Sequence, residues 1–148
     1  MANVREIMAS KEGYVFTITP GAEVLEAVRK MNYRRIGALV VVDTEHQTGR
    51  VVGMFTERDV LRLVGTLQDV AHLRVGDVMT RDVVTVLPDA DLEEVQEAMK
   101  NRRVRHLPIV DREGFLMGMI SIGDVNAWCV EHQARQLAGM HEYIYGRG

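Results

Sequence analysis

Residues 17–43 of this chain read TITPGAEVLEAVRKMNYRRIGALVVVD, and residues 85–111 read TVLPDADLEEVQEAMKNRRVRHLPIVD. Ten of the 27 aligned positions are identical without a gap, at a constant offset of 68 residues. Two further matches flank this stretch: VREIM at 4–8 with VGDVM at 75–79, and GMFTERDV at 53–60 with GMISIGDV at 118–125. Their offsets are 71 and 65, so the first copy has three extra residues in each of two loops. The chain is therefore an internal repeat of a unit of about 60 residues.

Each copy predicts the same order of elements, β-α-β-β-α. A stripe of Val24, Ala27 and Met31 at helical spacing indicates an amphipathic helix, and Leu92, Val95 and Met99 repeat it. Proline followed by acidic residues suits a first helical turn, so we expect these helices to open around Pro20 and Pro88. The expected strands are Tyr14–Ile18, Ile36–Val42 and Arg50–Phe55 in the first copy, and Val83–Val86, Leu107–Val110 and Phe115–Ile120 in the second.

One copy is too small to bury its own sheet, so we expect the two copies to pack as a pseudo-two-fold pair in an α/β fold of sandwich type. The sequence divides into repeat 1 over 1–65, a linker over 66–74, repeat 2 over 75–130 and a helical tail over 131–148.

The composition limits the function classes. The net charge of −3 argues against a general nucleic-acid binder, and no apolar run approaches a membrane span or a signal peptide. The single cysteine, Cys129, fits a reducing compartment, so we expect a cytoplasmic protein. The five histidines show no metal-ligand spacing and no nucleophile motif occurs, so we expect neither a metal site nor an enzyme.

Both copies end in the same short pattern, a hydroxyl residue with an aspartate three positions later. Thr56 with Asp59, and Ser121 with Asp124, have the spacing of a capping box that opens a helix. The aspartates could serve the helix alone, or they could also bind a ligand at its N-terminus. Composition and spacing leave both readings open.

The whole set of motifs, in order and twice over, resembles the CBS domain, named after cystathionine β-synthase. The resemblance rests on the VREIM and VGDVM openings, the ALVVVD and HLPIVD strands, and the TERD and SIGD ends. It covers residues 3 to 130 and is similar to short stand-alone bacterial proteins made of one such pair. It implies a regulatory module that binds an adenine nucleotide, such as AMP, ADP, ATP or NAD, or S-adenosylmethionine, in clefts between the copies.

The resemblance also implies roles for particular residues. Asp59 and Asp124 would bind ribose, with Thr56 and Ser121 as their hydroxyl partners. Adenine would rest against the first strand of the opposite copy: Val83 and Val84 for the Asp59 cleft, Tyr14 and Val15 for the Asp124 cleft.

The phosphate contacts implied by the resemblance differ between the copies. Arg105 and His106 would provide them in the second copy. The first copy has Gly37 and Ala38 there, so its matching cleft is expected to lack this basic pair. It has Arg58 where the second copy has Gly123. We therefore expect the two sites to treat phosphate differently.

The leading hypothesis is a non-enzymatic nucleotide sensor that forms a homodimer and signals to a regulated protein that the sequence does not identify. The alternative is a structural or protein-interaction module whose clefts hold no ligand. An enzyme acting on nucleotides is a third possibility, for which we expect Asp59 and Asp124 to lie too far apart, in separate clefts, to act as a catalytic pair.

Overall fold

The computed structural model describes residues 2–10, 15–44, 49–66 and 69–145, with the backbone alone for 140–145. The helices are α1 (Val4–Ser10), α2 (Val24–Arg34), α3 (Glu57–Gly65), α4 (Val75–Val78), α5 (Leu92–Arg102) and α6 (Ile122–Tyr145), with a 3₁₀ turn at Val70–His72. The strands are β1 (Thr17–Ile18), β2 (Ala38–Val42), β3 (Val51–Thr56), β4 (His106–Val110) and β5 (Leu116–Ser121). The predicted α/β fold is confirmed.

The two sheets are alike except at one edge. In the first, β1 runs parallel to β2, and β2 runs antiparallel to β3; the second has only the antiparallel pair β4–β5. The strand predicted over Val83–Val86 is wrong, because it reduces to a single bridge between Val86 and Ile109. In the first copy Val40 donates its backbone N–H to Phe16. The residue that corresponds to Val40 is Pro108, which has no N–H to donate.

Helices α2 and α5 begin later than their prolines predict. Pro20 and Pro88 lie in turns, and the helices start only at Val24 and Leu92. The carbonyls of both prolines accept hydrogen bonds from the opening helix of the other repeat, at 2.8 Å and 2.9 Å. Each proline turn therefore provides a hydrogen-bond acceptor for the other repeat, and no local sequence pattern predicts this contact.

The repeats exchange their opening helices. Val4 of α1 donates its N–H to Ala90 at 3.0 Å, and Val75 of α4 donates to Ala22 at 2.8 Å. Each core therefore combines one repeat with the opening helix of the other. One core consists of Val4, Ile7, Val86, Leu92, Val95, Met99, Leu107, Ile109, Ile120 and Val125. The other consists of Ile18, Val24, Ala27, Met31, Leu39, Val41, Phe55, Leu63, Val75 and Met79.

A third cluster joins the two sheets, and it confirms the predicted pairing of the copies. Its buried members are Ala38, Val40, Val42, Met54 and Leu116, with Val15, Val51, Val83 and Met119 packed against them. Helix α6 runs unbroken through the second repeat into the tail predicted for 131–148. The predicted boundary between repeat 2 and the tail falls inside α6, and the division of the chain into segments stays a prediction.

Candidate functional site

A cleft of about 630 Å³ lies between the two repeats. It is lined from the first repeat by Gly37, Met54, Thr56, Glu57, Arg58, Asp59 and Arg62, and from the second by Thr80, Asp82, Val83, Val84, Asn101, Arg102, Arg103, Val104, Arg105, His106 and Leu107. The first group surrounds the junction of β3 and α3, and the second follows α4 and joins α5 to β4. Because both repeats build the walls, the cleft depends on their packing.

Asp59 lies at the N-terminal end of α3 and is 3% exposed. Its Oδ2 accepts the backbone N–H of Thr56 at 2.9 Å and the Thr56 hydroxyl at 3.2 Å. Its Oδ1 accepts the hydroxyl of Thr80 at 3.0 Å and lies 3.8 Å from the Arg62 guanidinium. The carboxylate is thereby held in one orientation by groups from both repeats.

Thr80 is the partner of Asp59 from the second repeat. Its backbone pairs with Met54 through two hydrogen bonds of 2.9 Å, which fixes its position against β3. The corresponding residue of the first repeat is Ala9, which has no hydroxyl to offer Asp124. The side chain at this position therefore differs between the two repeats.

Five arginines line the cleft: Arg58, Arg62, Arg102, Arg103 and Arg105. Three carboxylates also line it, those of Glu57, Asp59 and Asp82. Arg102 pairs with Asp82 at 2.8 Å, and Arg62 is the arginine near Asp59. Among the side chains that the structure describes, no ion pair involves Arg58, Arg103 or Arg105. The cleft thus has an excess of positive charge in a chain whose net charge is −3.

The backbone positions Arg103 in an uncommon way. Arg103 follows α5 with a φ of 54°, in the left-handed region, and Arg35 follows α2 with a φ of 55°. In each case the next N–H bonds back to the helix, from Val104 to Met99 and from Ile36 to Met31. The chain therefore turns sharply at both arginines, but only Arg103 is among the residues that line this cleft.

The candidate residues from the sequence divide into three groups. The cleft brings together Thr56, Arg58, Asp59, Val83, Val84, Arg105 and His106. Val15 packs against the apolar cluster between the sheets, and Ser121 and Asp124 do not line this cleft. Tyr14 lies outside the described residues.

One expectation is wrong in its assignment. Arg105 and His106 were expected to be missing from the cleft of the first copy, yet both lie in the cleft of Asp59. The end of α5 and the start of β4 face the N-terminus of α3 across the two repeats. Basic residues of the second repeat can therefore line the cleft that contains the aspartate of the first repeat.

Asp124 keeps the capping role. The backbone N–H of Ser121 donates to Asp124 Oδ2 at 2.8 Å, and the N–H of Asp124 donates to the Ser121 hydroxyl at 3.1 Å. These reciprocal bonds form the predicted capping box at the start of α6.

Sequence reasoning missed Thr80, Arg62 and Asp82 as residues of the cleft. The adjacent arginines 102 and 103 carry no specific signal either, because such pairs are equally typical of a solvated helix end. No local signal marks Thr80, because its contact with Asp59 spans 21 residues and two repeats.

Two further findings concern metal sites and membrane-spanning helices in the part of the chain that the structure describes. There, no three histidine, cysteine, aspartate or glutamate side chains are grouped so that they could hold a metal ion. A separate finding is that none of the helices within residues 2–10, 15–44, 49–66 and 69–145 has the length and apolar character needed to span a membrane.

The fold, the repeated motifs and the cleft between the repeats are those of a pair of CBS domains. A family model of the CBS domain matches residues 4–66 and 75–131. The chain therefore belongs to the CBS domain family.

Known proteins of this family are similar over most of the chain. A mitochondrial CBS domain-containing protein of Arabidopsis thaliana is 33% identical over 150 aligned residues, covering 97% of this chain and 72% of that protein. A CBS-domain-containing protein of Agrobacterium tumefaciens has a TM-score of 0.75 at 33% identity, over 84% of this chain and 91% of that one. A CBS domain protein of Pyrobaculum aerophilum, solved in complex with AMP, shares the fold with a TM-score of 0.73 at 24% identity, over 83% of this chain and 89% of that one.

Proposed function

We propose that this protein is a non-catalytic regulatory module that binds an adenine nucleotide in the Asp59 cleft. The observation that carries the proposal is the buried carboxylate of Asp59 at a helix N-terminus, in a cleft with guanidinium groups from both repeats. Ribose hydroxyls would donate to Asp59, and phosphates would bind Arg58, Arg105 and His106. Val83 and Val84 provide apolar surface for the adenine. The same fold binds AMP in the Pyrobaculum protein.

The hydrogen bonds already made by Asp59 limit how ribose can bind. A carboxylate has about four lone-pair sites, and three of them accept from Thr56 and Thr80. One ribose hydroxyl can therefore bind Oδ1 beside Thr80. A second would displace either the Thr56 hydroxyl from Oδ2 or the Thr80 hydroxyl from Oδ1, and even the first lies next to the Thr80 contact. Nucleotide binding would then be linked to a contact between the repeats.

Such a link is how the module would signal. A ligand shifts a conformational equilibrium only if it binds one arrangement more tightly than the other. The cleft has walls from both repeats, so a nucleotide that contacts both favours one relative arrangement of them. A regulated protein would respond to that arrangement. A cytoplasmic location stays a prediction.

Titration calorimetry with AMP, ADP, ATP, NAD and S-adenosylmethionine tests the proposal. We expect at least one of these to bind, and Asp59→Asn to weaken it about tenfold or more, since a charge-assisted hydrogen bond contributes about 1.5–3 kcal/mol. Asp77→Asn is the matched control, because Asp77 accepts the Arg74 N–H at the start of α4 and does not line the cleft. Absence of binding at millimolar concentrations of all five would overturn the proposal.

The sequence analysis also expects a homodimer, and one observation supports it. Leu61 and Val64 on α3 are exposed, as are Val130 and Leu137 on α6. We propose that the last helices of the two repeats form the interface of a homodimer. Sedimentation should then give twice the 16.7 kDa chain mass for the wild type, and the chain mass for Leu61→Glu with Val64→Glu. A wild type that sediments as a monomer at micromolar concentration would contradict this.

The non-catalytic role makes a separate prediction. Prolonged incubation with ATP or NAD should leave both unchanged by chromatography. Conversion of ATP or NAD by the wild type that is lost in Asp59→Asn would contradict the sensor proposal and indicate catalysis in the Asp59 cleft.

A further inference from the structure

The basic side chains of the Asp59 cleft exceed what a single phosphate needs. Removing the two pairs Arg102–Asp82 and Arg62–Asp59 leaves Arg58, Arg103 and Arg105 against Glu57. These three arginines come from three separate places: the first turn of α3, the residue after α5, and the residue before β4. A planar guanidinium binds phosphate oxygens in a bidentate fashion, so several on different elements suit a chain of phosphates.

We infer that the Asp59 cleft selects an adenosine ligand with two or three phosphates over a monophosphate. This inference rests on the proposed function and narrows it to one ligand class. The cleft volume of about 630 Å³ is in the usual range for ligand sites, about 300–1,000 Å³, so space alone does not exclude the longer ligand.

The comparison of the two repeats supports an asymmetry in charge. At the start of α6, the positions that correspond to Arg58 and Arg62 are Gly123 and Ala127. The residue that corresponds to Arg102 is Arg34, whose guanidinium lies over the Phe16 ring at 5.1 Å and the Tyr33 ring at 5.4 Å instead of pairing with a carboxylate. The dense basic cluster is thus a property of the Asp59 cleft and not of the repeat.

The pair Arg102–Asp82 marks one wall of the cleft. Asp82 is the more exposed partner, at 84% against 45% for Arg102. Its negative charge opposes a phosphate chain and occupies a guanidinium that could bind one. An exposed ion pair of this kind contributes little to folding, so it can be removed without loss of the structure.

Titration calorimetry in magnesium-free buffer tests the inference with ATP, ADP and AMP. We expect ATP to bind about tenfold or more tighter than AMP, the ratio for one additional charge-assisted contact. Arg58→Gln and Arg103→Gln should each weaken ATP about tenfold and AMP much less. Arg35→Gln is the matched control for Arg103→Gln, because it removes the same charge from the same left-handed position of the other repeat, outside this cleft.

A gain of affinity provides the second test, because a misfolded variant cannot produce it. Asp82→Asn should tighten ATP severalfold by freeing Arg102, with a smaller change for AMP. Added salt should weaken ATP more than AMP, since exposed charges are screened over about 8–10 Å at 0.1–0.15 M.

The outcomes separate this inference from the proposed function. If AMP binds as tightly as ATP, the phosphate selectivity is overturned while nucleotide binding stands. Equal losses in Arg35→Gln and Arg103→Gln would also overturn it, because the effect would then be general electrostatics. If tripolyphosphate binds as tightly as ATP, the adenosine part of the proposed function fails. If none of the nucleotides binds, both fail.

Discussion

At the scale of single residues, the cleft is organised around one buried carboxylate. Asp59 is shared between the cap of α3, where Thr56 binds it, and the second repeat, where Thr80 binds it. A charge 3% exposed is stable only when its oxygens are satisfied, so each of these donors contributes to folding as well as to the shape of the site.

Replacing Thr80 by valine removes only the hydroxyl that Asp59 accepts. We expect Thr80→Val to lower the free energy of unfolding by about 1–2 kcal/mol, since hydrogen bonds to charged groups contribute about that much or more. Urea denaturation measures the change. Thr80→Ser keeps the hydroxyl and should lose less than half as much; equal losses in the two variants would mean that the hydrogen bond contributes nothing.

At the scale of elements, α2 and α5 are each followed by a residue in a left-handed backbone conformation, which favours glycine. Arg35 and Arg103 have φ values of 55° and 54°, a conformation that disfavours residues with a Cβ by about 1–2 kcal/mol. Both repeats keep an arginine there, but only Arg103 faces the cleft. The strain at Arg103 therefore coincides with a position that lines the cleft of Asp59, and the strain at Arg35 does not.

Glycine at position 35 should relieve this strain. The conformational gain exceeds the additional chain entropy that glycine loses, so we expect Arg35→Gly to raise the free energy of unfolding by about 0.5–1 kcal/mol. Chemical denaturation provides the measurement. Arg29→Gly, in the middle of α2, should instead lower the stability by about 1 kcal/mol. A loss of stability in Arg35→Gly would show that the arginine side chain itself stabilises the helix end.

At the scale of the whole molecule, the exchanged opening helices make the two repeats interdependent. Ile7 belongs to the first repeat by sequence and is buried in the core of the second. Val75 has the opposite relation, because it belongs to the second repeat and is buried in the core of the first. Neither repeat has a complete core without the other.

Truncation of Ile7 should therefore affect a distant part of the sequence. We expect Ile7→Ala to cost about 2–4 kcal/mol and to speed amide hydrogen exchange in β4 and β5. Val75→Ala provides the mirror experiment and should speed exchange in β2 and β3 instead. If both variants loosen α1 or α4 alone, the opening helices are appendages and not core elements.

Much of this architecture follows from the sequence by itself. Repetition at a fixed offset, helical and strand periodicity, and capping pairs such as Ser121 with Asp124 are local properties, since each depends on residues a few positions apart. They were sufficient to predict the α-β-β-α part of each repeat and the pairing of two copies, and the motifs carried the resemblance to the family. They did not predict the opening helices α1 and α4, and the strand expected over Val83–Val86 is reduced to a single bridge.

Only the tertiary structure decided which residues share a cleft. Arg105, His106 and Thr80 join Asp59 because two repeats pack with their helix ends facing each other, and no spacing in the chain encodes that approach. The same packing moved the helix starts away from Pro20 and Pro88, whose carbonyls bind the other repeat. Contacts between surfaces depend on how both are placed, and a pattern within one segment describes only its own surface.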